Sequence, residues 1–277
     1  MLNYQIVNIE IIKQSKDTMS DKITEIQESE TQKEEDIIRE MMKAGLHFGH
    51  KKTYNQPKAS YFIVKSYEAI AGIDLKETLK ALNKALDFIK EIVKQEGQMI
   101  FVGTTSGAKG FIKELAQKYD YPYVDERWLG GTLTNFKTLT QRIKTLKELE
   151  EQKDSGAWEK YTKKERNDLE KELNQLQRKF TGIRNLEKLP DALLIVDTGI
   201  HDIVVREAKL LSIPIIGILD TDDDPTVIDY PIPANDSAKS SIQYILNKIE
   251  KAIEEGKKLV KVSEIPVTEK TKEIKKT

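Results

Sequence analysis

The chain has 277 residues, of which 33% are charged, 7% are aromatic and none is cysteine. This length holds one large domain or two small ones with a sizeable core, and the absence of cysteine excludes disulfides, thiolate metal sites and a cysteine nucleophile. No run of about 18 apolar residues occurs, so the sequence predicts no membrane-spanning helix.

The formal net charge of −1 hides an uneven distribution of charge along the chain. Residues 1–40 hold ten acids and five bases, which leaves the rest of the chain with a balance of +4. Between His47 and Tyr67 there are four lysines and no acid, and after Gly256 there are seven lysines and three glutamates. Such clusters either bind phosphates or form solvated faces, and composition alone favours the solvated face.

The first predicted elements follow a polar, acidic stretch at residues 1–32, which is typical of a disordered tail. We predict a helix over residues 34–44 that ends at Gly45, and two short strands around a turn in "SYFIVKSYEAIAGI". Asp74 then caps a helix whose apolar residues recur every three or four positions until Gly97 closes it.

Strands and helices alternate in most of the remaining sequence. The apolar runs "QMIFVGTT", "YPYV", "DALLIVDT" and "IPIIGILDT" predict strands, and "SGAKGFIKELAQKY" and "IHDIVVREAKLLS" predict helices between them. A last helix is predicted from Asp236 to Glu255. This alternation is typical of a parallel sheet covered on both faces. The predicted fold is a doubly wound α/β domain over residues 33–256, followed by a lysine-rich flexible tail at residues 257–277.

One connection is too long for a simple crossover between parallel strands. Between Val124 and Asp191 two helical segments have apolar seams, at Phe136, Leu139, Ile143, Leu146 and Leu149 and at Leu169, Leu173, Leu176 and Phe180. Seams with spacings of three and four predict an antiparallel coiled-coil hairpin, inserted at about residues 136–181. A protein that docks onto a large surface has a use for such an arm, whereas an enzyme for small molecules does not need one.

The segment "RWLGGTLTNF" at residues 127–136 lies between the predicted sheet and this hairpin, and we name it the joint. Gly130 and Gly131 are predicted to let the chain turn sharply before Phe136, the first seam residue. Trp128 either packs at the base of the hairpin or is available for stacking. Arg127 is the one cation of the joint, and Thr134 or Asn135 is expected to cap the helix.

Three motifs are candidates for a catalytic or ligand-binding site, and each also has a purely structural interpretation. "VGTTSGAKGF" lacks the glycine spacing and the hydroxyl of a phosphate-binding P-loop, so a tight turn between strand and helix is the better interpretation. Asp197 and the "DTDDDP" run from Asp220 fall at the predicted carboxyl ends of strands, where carboxylates could hold magnesium or simply form turns. His47 and His50 form at most a weak metal motif, so we expect no metal site.

The order of several motifs closely resembles the bacterial form of the ribosomal small-subunit protein S-two family. These motifs are "AGLHFGHKK", "FVGT", "RWLGGTLTNFKT", the charged hairpin, "LPDALLIVDT", "IPIIGILDTDDDP" and "YPIPANDSA", and they span about Met41 to Glu255. The resemblance implies a flavodoxin-like sheet with a protruding coiled-coil hairpin. It also implies a non-enzymatic protein of the cytoplasmic ribosome, the organellar ribosome being the alternative, without cofactor or homo-oligomer.

The partners implied by the resemblance are small-subunit ribosomal RNA, neighbouring ribosomal proteins and, where it is present, the messenger-binding protein S-one. Most of the residues that we expect to contact RNA have basic side chains. They are His50, Lys51, Lys52, Tyr54, Lys58, Lys65, Arg127, Arg142 and Lys144. Family members commonly have bases after "FVGT" and arginines after the histidines, whereas this chain has neither. The competing hypothesis is a magnesium-dependent phosphotransferase that uses Asp197, Asp220 and Asp222.

Overall fold

The structure is a computed structural model that describes residues 32–64 and 69–263, with side chains as far as residue 260. The predicted tail at residues 1–32 lies outside the described residues except for its last residue, and so do Lys65 and residues 264–277. The chain divides into two units between Lys43 and Ala44. Helix α1 covers residues 32–44, close to the predicted 34–44, and all but its last residue belong to the first unit.

The second unit contains eight strands and six α-helices among its described residues. The strands are β1 Phe48–Lys51, β2 Ile63–Val64, β3 Ile70–Ile73, β4 Met99–Val102, β5 Tyr123–Val124, β6 Ala192–Val196, β7 Ile215–Leu219 and β8 Tyr230–Pro233. The helices are α2 Leu75–Lys94, α3 Lys109–Tyr119, α4 Phe136–Asp154, α5 Lys163–Phe180, α6 Asp202–Leu210 and α7 Lys239–Ser263. None of the described helices is long and apolar enough to cross a membrane.

The main sheet has five parallel strands in the order β5-β4-β6-β7-β8. Numbered within the sheet, this is the order 2-1-3-4-5, which is consistent with a flavodoxin-like fold. Every residue of β4, β6 and β7 is buried, because layers of structure cover both faces of the sheet. The predicted α/β fold with a parallel sheet is confirmed.

Strand β8 is an element that the sequence pattern did not predict. Its residues Pro231 and Pro233 argue against a strand, since proline cannot donate to a ladder and is tolerated only at an edge. Ala234 N donates to Leu219 O of β7 at 2.9 Å. Because backbone groups alternate in direction along a strand, the backbone N and O atoms of Pro231 and Pro233 point away from β7. On that outer side, Thr78 Oγ1 of α2 donates to Pro233 O at 2.7 Å.

A second, antiparallel sheet has the order β1-β3-β2. The predicted pair of short strands corresponds to β2 and β3, and β1 is an addition. Three hydrogen bonds hold β1 and the turn that follows it to the loops after β7 and β8. Asn235 Nδ2 donates to Phe48 O at 2.8 Å, His50 N donates to Thr221 Oγ1 at 3.1 Å, and Gln56 N donates to Thr221 O at 2.8 Å.

Helix ends differ from prediction in detail. The Asp74 side chain accepts from Lys76 N, which confirms the predicted cap of α2. That helix ends at Lys94, and Glu96 rather than a glycine takes the left-handed conformation, with a φ of 55°. Gly97 N then donates back to Ile92 O at 2.8 Å. Helix α7 continues to Ser263, so the first residues of the predicted flexible tail are helical.

The long connection between β5 and β6 contains helices α4 and α5. Helix α4 buries Leu139, Ile143, Leu146 and Leu149, and α5 buries Leu173 and Phe180, as the apolar pattern predicts. The two helices run in opposite directions, because the later residue of α4 meets the earlier residue of α5. Lys153 Nζ pairs with Glu170 at 3.2 Å, while Gln177 Nε2 donates to Glu150 at 2.9 Å. The two helices therefore pack side by side with their apolar residues inward.

Candidate nucleic-acid interface

The basic segment, residues 47–64 in the described part of the chain, presents cations and an aromatic ring to solvent. Lys51 and Lys52 are exposed, and neither forms an ion pair with another described residue. The ring of Tyr54 follows them in a 3-10 turn and is 66% exposed. Free lysines beside an accessible ring can neutralise phosphates while the ring stacks on a base.

Lys58 of the same segment is already paired within the protein. Its Nζ lies 2.6 Å from Asp224 Oδ2 and 3.4 Å from Thr226 Oγ1. The hydrogen bond from Lys58 lowers the pKa of Asp224, as does the one from Thr226. Lys58 therefore ties the basic segment to the loop between β7 and β8, and Lys65 lies outside the described residues.

The two histidines of the segment are in different environments. His50 turns toward the loop after β7, where its Nδ1 lies 3.0 Å from Asp220 Oδ2 and 3.3 Å from Asp222 Oδ1. The ring of His47 lies 3.9 Å from that of Phe48, and burial lowers the pKa of His47, which favours its neutral form. The structure thus places the side chain of His50 against Asp220 and Asp222, and that of His47 against an aromatic neighbour.

The joint is organised by a residue that the sequence did not single out, Glu207 of α6. Glu207 is 6% exposed, and its carboxylate accepts hydrogen bonds from five donors of the joint. These are Gly131 N at 2.7 Å, Leu133 N at 2.9 Å, Thr134 N at 3.2 Å, Trp128 Nε1 at 3.3 Å and Thr134 Oγ1 at 3.4 Å. Burial opposes ionisation, but these hydrogen bonds outweigh it and lower the pKa of Glu207.

Glu207 explains the roles of several predicted joint residues. Trp128 is 7% exposed and belongs to the core, which favours its packing role over stacking on RNA. Phe136 begins α4 and packs against the same core. Asn135 is the N-cap residue of α4 but its side chain makes no capping hydrogen bond. A signal for Glu207 existed in the sequence, since it lies on the buried face of α6 beside Val204 and Ala208.

The two glycines of the joint have different structural requirements, which gives a matched test. Gly131 has a φ of 89°, whereas Gly130 has no positive φ and has open space where the methyl group of an alanine would lie. We expect Gly131→Ala to lower the free energy of unfolding by about 1–2 kcal/mol, because L-residues disfavour this conformation. Gly130→Ala should change it by less than about 0.5 kcal/mol. Urea denaturation of both variants measures the difference, and equal effects would contradict this account.

The other predicted RNA contacts lie on the surface of the joint and of α4. Arg127 and Arg142 are exposed and form no ion pair within the described part of the chain. Lys144 lies 3.8 Å from Glu148, and both side chains are largely exposed, so this pair contributes little to stability. All three cations are accessible to a large anionic partner.

Five aspartates meet at the carboxyl end of the main sheet, and we name them the acidic edge. They are Asp197 after β6, Asp220, Asp222 and Asp223 after β7, and Asp236 after β8. Their position at this end of the strands follows from the parallel topology, as the sequence predicts for Asp197 and Asp220. Asp220, Asp223 and Asp236 are 1%, 6% and 2% exposed as whole residues.

Burial and mutual repulsion disfavour ionisation at the acidic edge. Burial is the main cause that raises the pKa of Asp223 to about 6, and Thr198 Oγ1 opposes the rise by donating to Asp223 at 2.7 Å. Burial and the charges of four other aspartates raise the pKa of Asp236 to about 9. The buried carboxyl groups of the edge therefore favour their neutral, protonated forms, and with a pKa of about 9 Asp236 is protonated at neutral pH.

The turn "VGTTSGAKGF" has the structural role that its sequence suggests. A methyl group at Gly103 would lie 2.8 Å from Ile112 Cγ1, and one at Gly107 would lie 3.0 Å from Ser237 O. Both glycines therefore permit close packing around the turn from β4 to α3. Thr104 Oγ1, in the same turn, lies 3.1 Å from His201 Nε2.

Comparison with known proteins identifies the family of the chain. A family model described as ribosomal protein S2 matches residues 41–256. The chain belongs to the ribosomal protein S2 family. This confirms the resemblance seen in the sequence motifs, and it decides against the phosphotransferase alternative at the acidic edge.

Relatives within the family are similar over most of their length. The small ribosomal subunit protein uS2 of Dictyoglomus thermophilum is 46% identical over 223 residues, which cover 80% of this chain and 91% of the relative. The protein of the same name from Marinobacter nauticus is 42% identical over 76% of this chain and 85% of the relative. That from Mycobacteroides abscessus is 44% identical over 79% of each chain.

Proposed function

We propose that this protein is a structural constituent of the small ribosomal subunit that binds small-subunit ribosomal RNA. The observation that carries the proposal is membership of the ribosomal protein S2 family over residues 41–256. Relatives at 42% to 46% identity bear the name small ribosomal subunit protein uS2. The role is non-enzymatic, and its site of action is the ribosome.

The RNA-binding surface in this proposal starts at the basic segment. Lys51 and Lys52 neutralise phosphates, and Tyr54 stacks on an accessible base or packs on a sugar, since all three are exposed. Lys58 acts indirectly, because its ion pair with Asp224 fixes the position of the segment. Lys65 extends the basic segment along the chain. His50 helps to hold the segment in place through its contact with Asp220.

A second part of the surface is formed by the joint and the two long helices. In this proposal α4 and α5 form an antiparallel coiled-coil hairpin, which is supported by their buried apolar seam and the pairs Lys153–Glu170 and Gln177–Glu150. Arg127, Arg142 and Lys144 then contact RNA from the joint and from the first helix. Other faces contact neighbouring ribosomal proteins, including the messenger-binding protein S-one where it is present, with one copy of this chain in each subunit.

Sedimentation of a cell lysate tests the proposal. The full-length chain, expressed with a small epitope tag in bacterial cells, is expected to sediment with the small ribosomal subunit at low salt. It should be released as salt rises, because each phosphate contact displaces counterions. The fraction that contains isolated large subunits is the internal control and should lack the tag. Recovery of the chain only at the top of the gradient would contradict the proposal.

A further inference from the structure

A group of cations gathers around the exposed carboxylate of Glu126, immediately before the joint. Lys109 and Lys113 are four residues apart and therefore lie on the same side of α3, and Arg178 lies near the end of α5. The ammonium group of Lys109 donates a hydrogen bond to Glu126. We name these four residues the α3 patch, and its cations are not among the RNA contacts that the sequence predicts.

Packing around β5 brings the elements of the α3 patch together. Gln117 Nε2 of α3 donates to the hydroxyl group of Tyr123 at 3.2 Å. A methyl group at Gly182, four residues after Arg178, would overlap Tyr123 O, so the chain at the end of α5 lies directly against the strand. Glu126 follows Tyr123 by three residues. Two helices packed on β5 therefore set the positions of the cations.

The α3 patch has a net positive charge. The hydrogen bond from Lys109 is the main cause that lowers the pKa of Glu126, and the charges of Arg178 and Lys113 lower it further. Lys113 and Arg178 are exposed and form no ion pair with any residue that the structure describes. Three cations and one carboxylate leave a charge of 3 − 1 = +2 for an anionic partner.

The ion pair between Lys109 and Glu126 is one that another anion can displace. Its side chains are 40% and 45% exposed, and so exposed a pair contributes little to stability because water and salt screen it. A phosphate oxygen accepts the same charged hydrogen bond from an ammonium group. Gly110, next to Lys109, has open space where a side chain would begin, so the bulky backbone of a nucleic acid can approach.

We propose that the α3 patch binds backbone phosphates of small-subunit ribosomal RNA, and that Glu126 holds Lys109 until one of these phosphates displaces it. This inference rests on the proposed function and adds a third part to its RNA-binding surface, beside Arg127 of the joint. Because Glu126 competes with every anion for Lys109, stable binding requires an RNA backbone that also reaches Lys113 and Arg178. Glu126 is therefore a residue that determines specificity, although its own charge opposes RNA.

Neutralising Glu126 should strengthen RNA binding, an effect opposite in sign to the loss of a cation. The assay is filter binding of the full-length protein to a transcript of small-subunit ribosomal RNA. Glu126→Gln is expected to raise the affinity about fivefold at low salt, because one repelling charge close to a phosphate is removed. Salt screens this repulsion, so the gain should shrink as salt rises.

A second glutamate provides the control for this change in charge. Glu91 lies on α2, is exposed and forms no ion pair within the described ranges, so Glu91→Gln should leave the affinity unchanged. Unchanged or weaker binding by Glu126→Gln would overturn the proposal. An equal gain in both variants would overturn it as well, because the effect would then be one of overall charge.

The cations of the patch are tested in the same assay. Replacing both Lys113 and Arg178 by alanine should lower the slope of log affinity against log salt by about 2, since two phosphate contacts are lost. The double alanine variant of Lys84 and Lys94 on α2 loses the same charge and should keep the slope of the parent. Equal slopes in the two double variants would show that the α3 patch does not bind RNA.

A double-mutant comparison tests the exchange at Lys109. Glu126→Gln should strengthen binding less in the Lys109→Ala background than in the parent, because the carboxylate then has no lysine to hold. A gain of the same size in both backgrounds would overturn the exchange. Thermal melting checks that each variant is folded, which we expect since the substituted side chains are at least partly exposed.

The parent protein separates this inference from the ribosomal proposal. A parent that does not bind the transcript at low salt would contradict both. A parent that binds, and that loses affinity when Lys51 and Lys52 are replaced but not when the cations of the α3 patch are, would overturn this inference alone.

Discussion

Replacing Glu207 by alanine is expected to lower the free energy of unfolding by about 3–5 kcal/mol, since breaking a buried charged network has an effect of this size. The substitution removes the shared acceptor of three backbone N–H groups and of the Trp128 indole. A donor left buried without an acceptor costs about 1–3 kcal/mol, less where water can enter. Urea denaturation of the full-length protein measures the change.

Matched variants separate the effect of losing the hydrogen-bond network from the effect of losing a charge. Glu172→Ala removes an exposed carboxylate from α5 and should change the free energy of unfolding by less than about 0.5 kcal/mol. Glu207→Gln keeps the shape and one acceptor oxygen, so its effect should lie between the two. An effect of Glu207→Ala as small as that of Glu172→Ala would show that the joint does not depend on this carboxylate.

The pH dependence of stability gives a second measure of Glu207. Its pKa is lower in the folded protein than the ordinary value of 4.5, so folding favours the ionised form. The resulting stabilisation is present above the unfolded pKa and is lost as pH falls through the folded pKa. Stability of the parent should therefore fall more steeply below about pH 4.5 than that of Glu207→Gln. Parallel curves for the two proteins would contradict the assignment.

Replacing both Lys51 and Lys52 by alanine is expected to weaken binding to small-subunit ribosomal RNA and to reduce its dependence on salt. Each lost phosphate contact lowers the slope of log affinity against log salt by about 1, so the double variant should lower it by about 2. Both side chains are exposed and unpaired in the described structure, so their loss should leave folding unchanged. Filter binding of the purified protein to an RNA transcript, at several salt concentrations, measures affinity and slope together.

The control for this experiment is a second pair of lysines with the same change in charge. Lys84 and Lys94 lie on α2, are exposed and form no ion pair with any residue in the described ranges. Their double alanine variant should keep a salt slope close to that of the parent. If both double variants lower the slope equally, the effect is one of overall charge, and the basic segment is not the RNA-binding surface.

Local patterns predicted most strands of the main sheet and the two long helices, because the apolar residues of each element follow a regular spacing in the sequence. Fully apolar runs such as Ala192–Val196 form buried parallel strands, and the seam from Leu139 to Leu149 is buried as its spacing indicates. Strand β8 was missed since prolines at alternate positions look like breakers until the strand is known to lie at an edge. The fold class thus followed from periodicity, whereas strand count did not.

The candidate sites were harder to predict because their partners are far apart in sequence. Spacing could suggest that Lys58 was a free base, but its partner Asp224 belongs to a loop brought close only by the fold. His50 likewise meets Asp220 across the sheet edge, and Glu207 meets Gly131 across the interface between α6 and the joint. Residue type indicated what each side chain can do, while tertiary structure determined what it contacts.

The outer side of β8 bears on the fate of newly made chains that have not yet joined a larger assembly. An exposed sheet edge offers unpaired N–H groups on which strands of other molecules can add, which leads to aggregation. Here the outward positions Pro231 and Pro233 have no N–H, and α2 covers the edge with Phe88 stacked on Tyr230 at 4.1 Å. At this edge the parallel sheet therefore ends in a strand to which another strand cannot add, and this lowers the risk of aggregation there before the protein joins the ribosome.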